Sequence, residues 1–182
     1  MSTLAGRSET ALIVVDVQKA VVADVHERNR VVDAISGLVD RARAAAVPVI
    51  WIQHHDDQLE RGSSAWEIVD ELSPLHDEAV VHKTHNDAFE ETSLERELAK
   101  KSVSQLIVVG AQTEWCIRST LHGAIARGYD ALLVSDAHST KDMSDDIPAS
   151  SIIALTNHYW HWHDVPHRSA GTAEAHEVHF RD

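Results

Sequence analysis

The 182-residue chain reads as an α/β protein, with a mostly parallel sheet covered by helices on both faces. Two observations carry this reading. Long apolar, β-branched runs occur with almost no polar alternation, as in Ala11-Leu-Ile-Val-Val15 and Leu106-Ile-Val-Val109; this is the pattern of a strand covered on both faces. Between such runs lie segments with apolar residues three and four apart, the spacing of one helix face.

Each element follows in order along the chain. Thr10 to Val17 is the first strand. Residues 29 to 46 place Val32, Ile35, Val39 and Ala42 on one helical face, and Pro48 ends that helix. Pro48 to Gln53 is a second buried strand. From 54 to 77 the periodicity fails: Gly62-Ser-Ser64 and Ser73-Pro74 mark turns, and Trp66-Glu-Ile-Val69 reads as one short helical piece. Irregular stretches of this length inside a domain are commonly functional or mobile. Ala79 to His82 is the third strand. A helix over 93–101 follows, with Thr92 or Ser93 as N-cap and Glu95 and Glu97 in its first turn. Gln105 to Gly110 is the fourth strand, followed by a helix over 114–127 that Gly128 closes. Asp130 to Ser135 is the fifth strand. Another helix spans 146–157, with Pro148 in its first turn, and His176 to Phe180 is read as a short final strand. No linker, repeat or low-complexity tract divides the sequence, so residues 1–182 are expected to form one domain.

The totals exclude several classes of function. With 43% hydrophobic and 25% charged residues the chain is globular in composition. A formal charge of −13 argues against nucleic acid as a partner, because phosphate neutralisation needs clustered Lys and Arg. The first nine residues are polar, and no stretch reaches the ~20 apolar residues needed to cross a bilayer, so no membrane partner is expected. Cys116 is the single cysteine and cannot form an intramolecular disulfide, which suits a reducing compartment. A soluble, cytoplasmic protein is expected. Neither a GxGxxG fingerprint nor a P-loop follows any strand, which disfavours nucleotide binding.

In open α/β sheets, ligands bind beyond the carboxyl ends of the strands. Asp16, Lys83 and Cys116 all fall there. Taken singly, each has an ordinary reading: a loop cap, a surface charge, a small buried apolar residue. Together they bring a base, a cation and a nucleophile to one rim. Gly110-Ala-Gln-Thr-Glu-Trp-Cys116 runs from strand into helix, placing the sulfur near a helix N-terminus. The dipole there favours thiolate and is expected to lower the thiol pKa. Backbone N–H groups of the same loop could receive an oxyanion. This is equipment for acyl transfer.

With these residues in view, the sequence resembles the isochorismatase-like cysteine hydrolases, the group that holds nicotinamidases and several amidohydrolases such as N-carbamoylsarcosine amidohydrolase. The matching pieces span most of the chain: Ala11-Leu-Ile-Val-Val-Asp-Val-Gln18, Pro48-Val-Ile-Trp-Ile-Gln-His54, Lys83 with Asn86-Asp-Ala-Phe89, Val109-Gly-Ala-Gln-Thr-Glu-Trp-Cys-Ile117, Gly128-Tyr129 and Val134-Ser-Asp-Ala137. The resemblance implies a Rossmann-like three-layer α/β/α sandwich with a six-stranded sheet of order 3-2-1-4-5-6. It implies that Asp16 takes the thiol proton and passes it to the leaving group, while Lys83 orients Asp16 and stabilises charge. It also implies a cis peptide between Ala111 and Gln112, with the Gln112 and Cys116 amides forming the oxyanion hole. No cofactor is implied, and a homo-oligomer is expected. The activity so implied is hydrolysis of a small amide, ureido or carbamoyl compound through a Cys116 thioester. Isochorismatase-type vinyl ether cleavage, which needs no thiol, and a non-catalytic binding protein are the alternatives.

Four further residues are expected at the substrate: Gln18 beside Asp16, Phe89 and Trp115 beside the motifs, and His54 after the second strand. Nicotinamidases carry an Asp-x-His metal pair at this last point, whereas here the order is His54-His-Asp56. A pocket-lining or loop-bonding role is therefore preferred over a metal for His54. The tail cluster His158, His161, His163 and His167, with Trp160 and Trp162, is read as surface, interface or packing residues rather than a metal centre.

Overall fold

The computed structural model describes residues 2–180 of the chain. Six strands form one sheet: β1 (Glu9–Val15), β2 (Val49–His54), β3 (Ala79–Lys83), β4 (Val103–Ala111), β5 (Asp130–Ser139) and β6 (Ala170–Ala173). Their order is β3-β2-β1-β4-β5-β6, and every neighbouring pair is parallel. Four α-helices accompany them: α1 (Arg28–Ala44), α2 (Leu94–Lys100), α3 (Arg118–Ala126) and α4 (Ala149–His161).

The uninterrupted apolar runs follow from this layering. Along β1, Leu12 and Val14 join a core with Val32, Ile35, Leu38 and Val39 of α1. Ala11, Ile13 and Val15 point the other way, into a second core with Leu94 and Leu98 of α2 and Leu121, Ala124 and Ile125 of α3. Both faces of the strand are thus dry, and no polar residue alternates. Trp160 of α4 belongs to the second core, where its indole N–H donates to the Ala131 carbonyl.

Four local expectations differ from the structure. The last helix runs Ala149–His161 rather than 146–157, and Pro148 precedes it in extended conformation as its N-cap. The final strand is Ala170–Ala173 rather than 176–180; Ala175–Glu177 is a 3₁₀ turn, and Val178 and Phe180 are buried beside α1, which explains their apolar spacing. Residues 66–69 are not helical: Ile68 forms an isolated bridge with Gln18, and the Val69 amide donates to the Val17 carbonyl. The helix expected over 114–127 begins as a π-helical turn, Thr113–Ile117, before α3. No helix among the described residues is long and apolar enough to cross a membrane.

The sheet order puts β1 at the centre, with β2 on one side and β4 on the other. The chain leaves β1 at Asp16, β3 at Lys83 and β4 at Ala111, so their following residues share one rim. Gly110 makes the approach possible. Its φ is +121°, and a Cβ there would overlap the Val15 carbonyl oxygen, so only glycine lets β4 pass this close to the end of β1.

Candidate active site

Asp16 is the first residue beyond β1 and adopts the left-handed backbone region, φ 51°, a conformation rarely held by a non-glycine residue without surrounding support. Its amide donates to the Ile52 carbonyl, and its side chain is buried. Lys83 ends β3 and is equally buried. Its Nζ lies 2.7 Å from Asp16 Oδ2 and 3.1 Å from Cys116 Sγ. The Asp16 contact is a close charge pair rather than a well-directed hydrogen bond, and neither carboxylate oxygen has another hydrogen-bond partner among the described residues. A carboxylate left in this state can accept a further proton or hydrogen bond.

Cys116 lies within the π-helical turn, where the Ile117 amide reaches back five residues to the Gln112 carbonyl. Such single-turn insertions recur at functional sites. Two anchors hold the turn. The Thr113 hydroxyl meets His138 Nδ1 at 2.9 Å, and His138 Nε2 meets Asn157 Oδ1 at 2.9 Å, tying the turn to β5 and α4. Glu114 accepts from the Thr140 hydroxyl. The segment after β3 is docked on α3: Thr120 Oγ1 accepts from the Ala88 amide, and Arg127 donates to Asp87. These bonds hold the Lys83 loop and the Cys116 turn in one position. The Ala111–Gln112 peptide bond is cis.

The electrostatics correct one expectation. Burial, and after it the nearby Asp16 carboxylate, push the Cys116 thiol up to about 12, with Lys83 only partly opposing them. The helix-start dipole is therefore outweighed: a thiolate would be a second anion facing a cation that Asp16 already neutralises. Burial alone would pull the Lys83 ammonium down, but Asp16 and Cys116 hold it above its ordinary value. These shifts favour the thiol form of Cys116 and the ammonium form of Lys83.

The structure separates the remaining expected residues. Gln18 is fully buried; its Oε1 accepts from the His54 amide, and its Nε2 donates to the His54 and Trp66 carbonyls. With its amide group committed to these bonds, it is a strut for the loop rather than a substrate contact. Phe89 likewise belongs to the core, between the Tyr129 ring and the Arg127 guanidinium. Trp115 is 51% exposed beside Cys116. His54 stands at the site, with Nδ1 3.4 Å from Lys83 Nζ and Nε2 3.1 Å from Asp56 Oδ2. Among the described residues, no group of three or more His, Cys, Asp and Glu is placed to hold a metal ion.

Sequence reasoning did not single out Asn86, whose Oδ1 lies 3.9 Å from Cys116 Sγ, or the His85 carbonyl, 3.1 Å from Lys83 Nζ. Both follow directly on Lys83, and Asn86 opens the Asn86-Asp-Ala-Phe89 piece that matches the family pattern. A groove of about 760 Å³ runs beside the site without including the three central residues; Leu121, Met143, Ile147, Leu155, Tyr159 and Trp162 line much of it.

Comparison with known proteins shows the family to which this fold belongs. Residues 10–152 match the isochorismatase domain family. Streptothricin hydrolase from Streptomyces noursei is 35% identical over 156 residues, covering 79% of this chain and 62% of that protein. The chain thus spans less than two thirds of that relative's length. Ureidoacrylate amidohydrolase from Caulobacter segnis is 27% identical, covering 70% of this chain and 71% of that protein. The crystal structure of a cysteine hydrolase from Pseudomonas syringae pv. phaseolicola superposes with a TM-score of 0.85 at 26% identity, covering 93% of this chain and 90% of that one. The chain belongs to the isochorismatase family.

Proposed function

We propose that this chain is a cysteine hydrolase that cleaves a small amide, ureido or carbamoyl C–N bond through a Cys116 thioester. The observation that carries the reading is the Lys83 ammonium, 2.7 Å from Asp16 Oδ2 and 3.1 Å from Cys116 Sγ in a buried setting. Each group has a role that its position suits. Asp16 takes the Sγ proton as sulfur attacks the carbonyl carbon, so charge develops at sulfur only when the carbonyl oxygen can receive it. The Gln112 and Cys116 amides receive that oxyanion. Asp16 then returns the proton to the leaving nitrogen, the C–N bond breaks, and ammonia or an amine departs. Water attacks the thioester and gives a proton to Asp16. The C–S bond breaks, and the sulfur recovers the proton. Lys83 remains an ammonium throughout and offsets negative charge first on Asp16, then on sulfur.

The names of the relatives, a streptothricin hydrolase and a ureidoacrylate amidohydrolase, favour C–N over vinyl ether cleavage, as does the presence of a thiol against Lys83. Trp115 is assigned to the substrate side because it is half-exposed next to the nucleophile. The aromatic edge formed by Tyr159 and Trp162, 67% and 71% exposed, supports association of copies into a homo-oligomer.

The test is a panel of small amides, ureides and carbamoyl compounds assayed for ammonia or amine release. Turnover that vanishes in Cys116→Ala supports the reading. Isochorismate turnover that survives Cys116→Ala favours vinyl ether cleavage instead.

A further inference from the structure

Lys83 Nζ has three protons and four acceptors around it: Asp16 Oδ2, Cys116 Sγ, the His85 carbonyl and His54 Nδ1. The first three belong to the arrangement already described. The fourth is a side chain that can present a lone pair in one tautomer only. An imidazole Nδ1 faces an ammonium favourably when Nδ1 is bare and the ring proton sits on Nε2.

The structure holds that tautomer in place. His54 Nε2 lies 3.1 Å from Asp56 Oδ2, so the carboxylate takes the Nε2–H. Asp56 is itself fixed, because its Oδ1 accepts from the Gln58 and Leu59 amides at 2.8 Å each. Those two backbone bonds, with His54 adding to them, hold the carboxyl below its usual range and therefore ionised. The His54 backbone is clamped on both sides by the Gln18 amide, 2.8 Å at N and 2.9 Å at O. Asp56 thus fixes the ring and its proton, and Gln18 fixes the main chain.

We infer that Asp56 and His54 form a positioning relay for Lys83, in which Asp56 fixes the His54 tautomer and His54 Nδ1 holds the ammonium between Asp16 and Cys116. The inference rests on the hydrolase reading for its kinetic consequence, but not for its structural one. The contact is longer than the other three because four acceptors share three protons. Its use is to keep the ammonium from following Asp16 when that carboxylate gains the thiol proton and loses its charge. With a fixed acceptor besides Asp16, the cation stays beside the sulfur as negative charge moves there. The same relay accounts for the order His54-His-Asp56: both side chains serve the lysine, one through the other.

Two measurements test this. Long-range 1H–15N spectra of the wild-type protein at neutral pH read the His54 tautomer without any substrate. The relay predicts a bare Nδ1 and a protonated Nε2, and a shift toward mixed tautomers in Asp56→Asn. A protonated Nδ1 in the wild type overturns the inference whatever the protein hydrolyses. On a substrate found in the amide panel, His54→Leu is expected to lower kcat by about tenfold or more, with KM changed less than about threefold. His54→Asn, whose Oδ1 can stand near the Nδ1 position, is expected to restore kcat to within about threefold of wild type. Equal losses in the Leu and Asn variants, a loss confined to KM, or an unchanged kcat in His54→Leu would each refute it.

Discussion

Replacing Asp16 with Asn should make Cys116 more reactive toward a simple alkylating agent while abolishing turnover. In the wild type the thiol is pushed up to about 12. Against an ordinary thiol near 8.5, the thiolate population at neutral pH is then lower by about three orders of magnitude. Iodoacetamide, which reads thiolate, should modify resting Cys116 slower than a free thiol by a comparable factor. Burial is the larger cause, and the Asp16 carboxylate adds to it, because the Lys83 charge 3.1 Å from sulfur is offset by Asp16 at 2.7 Å. At an effective dielectric of about 20, a bare ammonium at that distance attracts a thiolate by about 5 kcal/mol. Asp16→Asn exposes that attraction. Even if most of it is lost to relaxation, alkylation should accelerate by at least about tenfold. The assay is the rate of iodoacetamide incorporation at Cys116 by intact mass, with wild type and variant compared at several pH values. Rapid wild-type alkylation with a midpoint at or below the ordinary thiol range would refute the reasoning, as would an Asp16→Asn variant that alkylates more slowly.

Three other outcomes are expected. Gly110→Ala forces a Cβ into the Val15 carbonyl at a positive φ and should cost about 3 kcal/mol or more. That lowers Tm by about 10 °C, and a Tm within a degree or two of wild type by calorimetry contradicts the packing argument. Burial holds the His138 imidazole down at about 4 although Asn157 pulls the other way. Its neutral form therefore contributes about 3 kcal/mol that is present above the ordinary histidine range and is lost as pH falls from about 6.5 toward 4. In urea titrations His138→Gln should lose less stability than wild type between about pH 7 and about pH 4; equal losses contradict this. Tyr159→Lys combined with Trp162→Glu should convert an oligomer to monomer in light scattering, and a monomeric wild type would remove that part of the proposal.

Much of the architecture was legible because burial on both sheet faces leaves no room for polar alternation, so β1, β2 and β4 announce themselves as apolar runs, while the edge strand β3 and β5 are apolar only in part. β6 did not, since Ala170-Gly-Thr-Ala173 is half-buried, pairs only with β5 and carries no β-branched run. The apolar residues mistaken for it, Val178 and Phe180, owe their spacing to packing beside α1. At the site, Asp16, Lys83 and Cys116 could be found because chain position at a strand end determines which rim a residue joins. The direction of a side chain could not. Gln18 and Phe89 adjoin motif residues yet turn away, one to bond the His54 and Trp66 backbone and the other into the core. The thiol's protonation state was also hidden, because the charge on sulfur depends on burial and on a carboxylate exactly one hundred residues earlier in the chain rather than on the helix it begins.

The most direct measurement of the central claim is acid-quench mass spectrometry during turnover of an amide from the panel. The account predicts an acyl group on the peptide containing Cys116, with the mass of the substrate less its leaving amine. Steady turnover with no adduct on that peptide, persisting after Cys116 is replaced by Ala, would contradict it.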